Sequence, residues 1–235
     1  MPDQPSRPRP RAGRAWVGLD PSADAQPRRQ PLTRPRVVRA ALRLVDEKGL
    51  DALTMRALAS ELQVSPMALY NHVHDKDELV DLMVDLMLGE VDCTPGPNPE
   101  DWATQLRNLV GSYHQALSAH PQLARVYSSR VCLGPHGLTI IERVLQLLLQ
   151  AGFPPATAAD AFFALYTYTV GFHQMGEVDA LEFSALPPEQ IPTIVALAPH
   201  LRGTRRRGGF EYGLDTLLAG LNTTNTTKSD TAPTR

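Results

Sequence analysis

The stretch LTMRALASELQVSPMALYNHVHDKDELVDLMVDLML, Leu53 to Leu88, decides the fold. It reads as two short helices joined by a tight turn, with a longer helix close behind. Thr54 is an N-cap, because its hydroxyl can accept an otherwise unbonded amide of the first turn. Met55, Leu58, Ala59 and Leu62 follow at the spacing of one buried helix face. Ser65 is a second N-cap, and Pro66 takes the first helical position, where its missing amide costs nothing. That second helix is expected to run to about Val73, since Asp75 caps a third that begins Lys76-Asp77-Glu78. Two helices of about two turns each, joined so closely, make a helix-turn-helix whose second member is shaped for a major groove.

The side chains on the second helix separate a reader of DNA from a plain scaffold. Leu69 and Val73 are four apart and face inward together, which spreads Met67, Ala68, Tyr70, Asn71 and His72 over the outer and flanking faces. Tyr70 can reach a phosphate, Asn71 can pair with adenine, and Met67 or Ala68 can touch a thymine methyl. An ordinary surface helix would carry Glu and Lys, yet Pro66 to His72 holds no acid, Lys or Arg. An uncharged, aromatic-bearing face suits base edges better than solvent.

At these residues the chain resembles the tetracycline-repressor (TetR) family of one-component transcriptional regulators. The resemblance covers Thr33 to about Val91. It rests on Lys48-Gly49, Leu53-Thr54-Met55-Arg56, Leu58-Ala59, Val64-Ser65, Leu69-Tyr70, His72-Val73 and Lys76-Asp77-Glu78-Leu79. It implies an all-α protein, with an N-terminal three-helix DNA-binding domain and a C-terminal helical domain for ligand binding and dimerisation. By matched position it places phosphate contacts on Thr54 and Lys76, and base or phosphate contact on Arg56. Base-side contact falls on Ser65, Pro66, Met67, Ala68, Tyr70, Asn71 and His72.

Charge argues through its distribution. The whole chain carries a formal −2; residues 1–32 hold six Arg against three acids, and residues 33–92 hold seven bases against eleven acids. A DNA-binding unit of net −4 is acceptable only if its acids lie away from the groove-facing side, and it predicts a modest salt slope. Cys93 and Cys132 are far apart without CxxC spacing, so neither a disulfide framework nor a zinc site is indicated. No long apolar run indicates a membrane span, and the N-terminus lacks the apolar core of a secretory signal, so a cytoplasmic protein is expected.

In chain order, residues 1–32 form an Arg- and Pro-rich arm expected to be disordered, its six Arg available to phosphates or a minor groove. Residues 33–92 hold the helix-turn-helix domain: a first helix Thr33 to Lys48 ended by Gly49, the two motif helices, and a linker helix from Asp77 to about Glu90. CTPGPNP, Cys93 to Pro99, marks a boundary. Residues 99–221 read as a helical domain, with helices Asp101 to Ala119, Pro121 to about Ser128, and Gly134 to Gln150 with Leu138, Ile141, Val144, Leu145 and Leu148 inward. A long helix from Ala158 to about Val178, a short one around Glu189 to Leu197, and a last one from Phe210 to Leu221 complete it. Residues 222–235 read as a disordered, Thr-rich tail.

The long helix is apolar almost all round and the last carries a broad Leu stripe, which means burial on more than one side. By resemblance these two helices pair with their copies in a homodimer, whose two heads read a palindromic double-stranded operator. Tyr113, His114, Phe162, Tyr166 and His173 are the candidate lining of a pocket for an unknown small-molecule effector. The family's His and carboxylate that hold a magnesium–drug chelate are not reproduced around YSSRVCLGPHG, and Met175 stands near the expected carboxylate. No cofactor or metal is expected, and the effector is read as largely apolar. A helical adaptor that binds protein remains as an alternative. A hydrolase is a weaker one, since no HExxH, GxSxG or P-loop pattern appears.

Overall fold

The computed structural model describes residues 31–98, 101–128, 134–174, 189–201 and 208–229. The Arg-rich arm up to residue 30, Cys132, Met175, the end of the long helix toward Val178, and residues 202–207 and 230–235 lie outside the described residues. Every described element is helical. Helix α1 is Arg34–Lys48, α2 Met55–Leu62, α3 Pro66–Tyr70, α4 Lys76–Leu88, α5 Trp102–Ala119, α6 Pro121–Tyr127, α7 Pro135–Gln150, α8 Pro155–Gln174, α9 Pro192–Leu201 and α10 Gly209–Ser229.

Local capping chemistry sets most of these boundaries. Thr33, Thr54, Ser65, Asp75 and Asp101 each accept, through a side-chain oxygen, an amide of the first turn that has no helical partner of its own. Gly49 ends α1 at φ 83, a conformation that costs glycine little. The head packs α1 against α2 and α4, burying Val37, Ala41, Val45, Leu58, Leu69 and Leu79.

Three expectations need correction. Helix α3 stops at Tyr70 rather than Val73: the Leu69 carbonyl accepts from both His72 N–H (2.8 Å) and Val73 N–H (3.1 Å), so the chain turns there. Helix α7 is rotated from the expected face, burying Gly137, Ile140, Val144, Leu147 and Leu148 while Leu138 is exposed. Apolar residues run almost round that helix, so periodicity admits more than one inward stripe. Finally, α10 continues past Leu221 through Ser229, because Asn and Thr only weakly disfavour a helix already nucleated and no Pro or Gly intervenes.

Cys93–Asn98 is a clamped bend. Asp92 N–H donates to Ser112 Oγ (2.8 Å), Gly96 N–H to Gln105 Oε1 (2.9 Å), and Gln105 Nε2 to the Asn98 carbonyl (2.8 Å). The linker helix α4 consequently packs on α5, α6 and α7 as well as on α1. It buries Val80, Val84 and Leu88 along with Leu79, Met83 and Met87, a wider apolar surface than one stripe. Among the described residues no helix is long and apolar enough to cross a membrane.

Candidate DNA-reading face and effector cavity

The turn between α2 and α3 is built around Gln63, which adopts the left-handed φ of 54 while Val64 N–H reaches back to the Ala59 carbonyl at 3.0 Å. Ser65 then restarts the helix, its Oγ accepting Ala68 N–H at 3.3 Å. Leu69 and Val73 anchor the underside. The opposite side is left to solvent: Met67 is 74% exposed and Tyr70 48%, while Ser65, Pro66 and Asn71 are exposed and Ala68 and His72 half-buried. Thr54 Oγ1 accepts Ala57 N–H (3.1 Å), which leaves the hydroxyl proton for an outside acceptor such as a phosphate. Arg56 and Lys76 are exposed, and neither makes an ion pair among the described residues. Of the ten expected DNA-contact residues, eight are exposed and two, Ala68 and His72, are half-buried.

Four of the eleven acids of the head have partners away from α3. Asp46 and Glu90 face His120, Asp85 faces the start of α7, and Glu78 pairs with Arg34.

Two of those contacts join the head to the helices beyond it. His120, buried between α5 and α6, meets Asp46 of α1 through Nδ1 (2.9 Å) and Glu90, just after α4, through Nε2 (3.2 Å). Burial opposes the imidazolium, but its hydrogen bonds to the Asp46 and Glu90 carboxylates, with their charges, outweigh it, so the His120 pKa lies above its ordinary value. Asp85 supplies the cap that α7 lacks. Its Oδ1 accepts His136 N–H (3.0 Å) and Gly137 N–H (3.3 Å), and its Oδ2 meets His136 Nδ1 at 2.9 Å.

Behind that first turn of α7 lies a small apolar cleft of about 40 Å³. Helices α5, α6, α7 and α8 wall it, with Tyr113, Tyr127, Gly137, Val144, Phe162 and Tyr166 among the lining residues. Gly137 therefore belongs both to the cavity wall and to the Asp85 contact.

Of the five expected pocket residues, Tyr113, Phe162 and Tyr166 line this cleft. His114 and His173 do not. His114 is one step along α5 from Tyr113, about 100° around the helix. It points to α10, stacks on Phe210 at 3.8 Å, and lies with Nδ1 3.0 Å from His173 Nε2. Tyr127 and the α7 residues escape sequence reasoning, because an aromatic at the end of a short helix and aliphatics on an all-round apolar helix look like ordinary core.

Residues 37–83 match the family model described as bacterial regulatory proteins, tetR family, and residues 94–225 match that of the tetracyclin repressor-like C-terminal domain. The class A tetracycline repressor of Escherichia coli is 33% identical over 192 residues, spanning 79% of this chain and 88% of that protein. The crystal structure of apo ActR from Streptomyces coelicolor is 36% identical with a TM-score of 0.73, covering 85% of this chain and 99% of that one. ActR in complex with actinorhodin superposes with a TM-score of 0.71 at 36% identity, over 83% and 99% of the two chains. The chain belongs to the tetR family, as a ligand-responsive, DNA-binding transcriptional regulator and not an enzyme.

Proposed function

We propose that the protein is a homodimeric repressor that lays its two α3 helices in successive major grooves of a palindromic operator, and lets go when a small apolar molecule enters the cleft between α5, α7 and α8. Base preference comes from Met67, Ala68, Asn71 and His72; Thr54, Tyr70 and Lys76 hold phosphates, and Arg56 takes either. Working on DNA, it acts in the cytoplasm. A relative solved with actinorhodin bound supports the idea of an organic effector.

One observation carries the mechanism: Gly137 lines the cleft while its N–H donates to Asp85 of the linker helix. A ligand that pushes the first turn of α7 must move or break that contact, and with it α4, which holds α1 and so the reading helix. Repression is lifted by population shift: the ligand stabilises the arrangement whose two heads no longer match the half-site spacing.

Footprinting of genomic DNA with the purified protein tests this reading. The expected result is a protected inverted repeat whose half-sites are about one helical turn (~34–36 Å), or a multiple of it, apart. No protected site at physiological salt, or a footprint without two-fold symmetry, would overturn it.

A further inference from the structure

Two histidines that neither the reading face nor the cleft uses meet where α5, α8 and α10 come together. His114 of α5 and His173 of α8 are both half-buried, with His114 Nδ1 3.0 Å from His173 Nε2. Their rings are held in place. His114 stacks on the buried Phe210 at 3.8 Å and 7°, and Phe172 meets His114 edge-on at 5.5 Å and His173 at 6.0 Å. Tyr168 Oη in turn donates to the Phe210 carbonyl at 2.8 Å, which fixes the start of α10 against α8.

The geometry of the pair suits more than a shared proton. A straight N–H···N bond of this length would put the two ring centres about 5.3 Å apart. They lie at 4.9 Å with the planes 38° apart, so the contact is bent. Two imidazole nitrogens bound side by side to one divalent ion, each at about 2.0–2.1 Å and separated by about 90–110° at the metal, are themselves about 2.9–3.4 Å apart. An ion can therefore replace the bridging proton with almost no movement of either helix. The proton moves to the other nitrogen of the ring that carried it, and both rings stay neutral.

The surroundings choose the kind of ion. Imidazole suits zinc, copper and nickel, whereas magnesium and calcium require oxygen ligands. A cavity of about 240 Å³ opens beside His114, walled also by Ser112, Gln115, Phe210 and Glu211, and has room for water on the remaining coordination positions. Arg107, in the same wall, is tied to Asp215 through Nε at 2.6 Å, so its charge is partly offset, while Glu211 adds a negative charge.

We propose that His114 and His173 form a two-histidine site for a divalent ion of the zinc, copper or nickel class, which clips α5 to α8 next to α10. The site is separate from the cleft, and the proposal stands whether or not the cleft holds an effector.

The test is calorimetric titration of the full-length, tag-free protein with zinc and with nickel, after chelator treatment and its removal. The variants are His114→Phe, which keeps a ring on Phe210, and His173→Gln. The expected result is one ion per protomer, bound at least about tenfold more weakly by each variant because one of the two ligands is gone. Binding should weaken as pH falls through about 6.5, since protons compete for the same nitrogens. His74→Gln with His200→Gln, which removes two exposed imidazoles, should leave the affinity unchanged. Melting gives a second readout: zinc should raise the melting temperature of the unaltered chain and of neither site variant, a comparison that does not depend on how stable each variant is without metal. No binding of either ion at millimolar concentration overturns the site. Binding that survives either single substitution, or that disappears with His74 and His200, overturns it too.

Discussion

Asp85 occupies the space in which Gly134 would carry a side chain: a Cβ on that glycine would collide with the Asp85 carboxylate and crowd its Cβ. The linker helix and the start of α7 touch this closely because the carboxylate must reach the amides of His136 and Gly137. Gly134→Ala is accordingly expected to destabilise the protein by about 1–3 kcal/mol, the range for overpacking a filled site. Denaturant unfolding measures it. In an Asp85→Gly background the same substitution should cost less, since the colliding group has gone.

Asp85→Ala should separate binding from response. Operator affinity in the absence of effector should stay within a few-fold, because α4 remains packed through Leu79, Met83 and Met87. The factor by which an effector weakens that affinity should shrink. An unchanged factor, measured by titrating operator with and without a bound effector, would show that the signal takes another route.

Stability should depend on pH through His120. Its pKa is raised in the folded chain, so the stabilisation is complete below the unfolded value of 6.5 and is lost as pH climbs through the higher folded value. Asp46 and Glu90 are the carboxylates that face it. A His120→Gln variant should lose this decline above neutrality. Melting temperatures recorded from pH 6 to 9 on both proteins decide the matter.

The reading face makes separable predictions. Lys76→Ala and Tyr70→Ala should weaken binding to every sequence alike, and loss of the Lys76 charge should reduce the salt slope by about 0.9, whereas loss of the neutral Tyr70 hydroxyl should leave the slope unchanged. Met67→Ala and Asn71→Ala should instead reorder the ranking of operator variants, by about 1–3 kcal/mol for each base edge no longer read. Binding arrays over single-base operator variants distinguish the two patterns.

Phe163 of α8 and Tyr212 of α10 are 61% and 77% exposed, unusual for large aromatics. A charge at either, as in Phe163→Asp, should shift the dimer toward monomer, as light scattering would report.

Much of the fold is legible in the chain. Ser, Thr and Asp residues ahead of apolar runs locate five helix starts, since a cap is decided by neighbours two or three residues away. The charge-free run from Pro66 marks the reading face for the same reason: it is a local pattern. What escapes is decided by distant partners. Which side of α7 turns inward depends on Asp85, 51 residues before His136 in the chain. Yet a clue exists, for Gly134-Pro135 opens a helix without any cap of its own, which implies a cap from elsewhere. His114 and His173 look like ligands because histidine is rare in apolar helices. Their partners, each other and Phe210, come from three helices that no spacing rule connects.

Because Gly137 answers both to the cleft and to Asp85, sensing and gripping share one hinge point, and thermodynamic reciprocity applies to it. Whatever factor a bound effector takes from the affinity for DNA, bound DNA must take from the affinity for the effector. A dimer already seated on its operator is therefore a duller sensor than one adrift in solution, and the threshold for induction rises with the number of operator copies it has to leave.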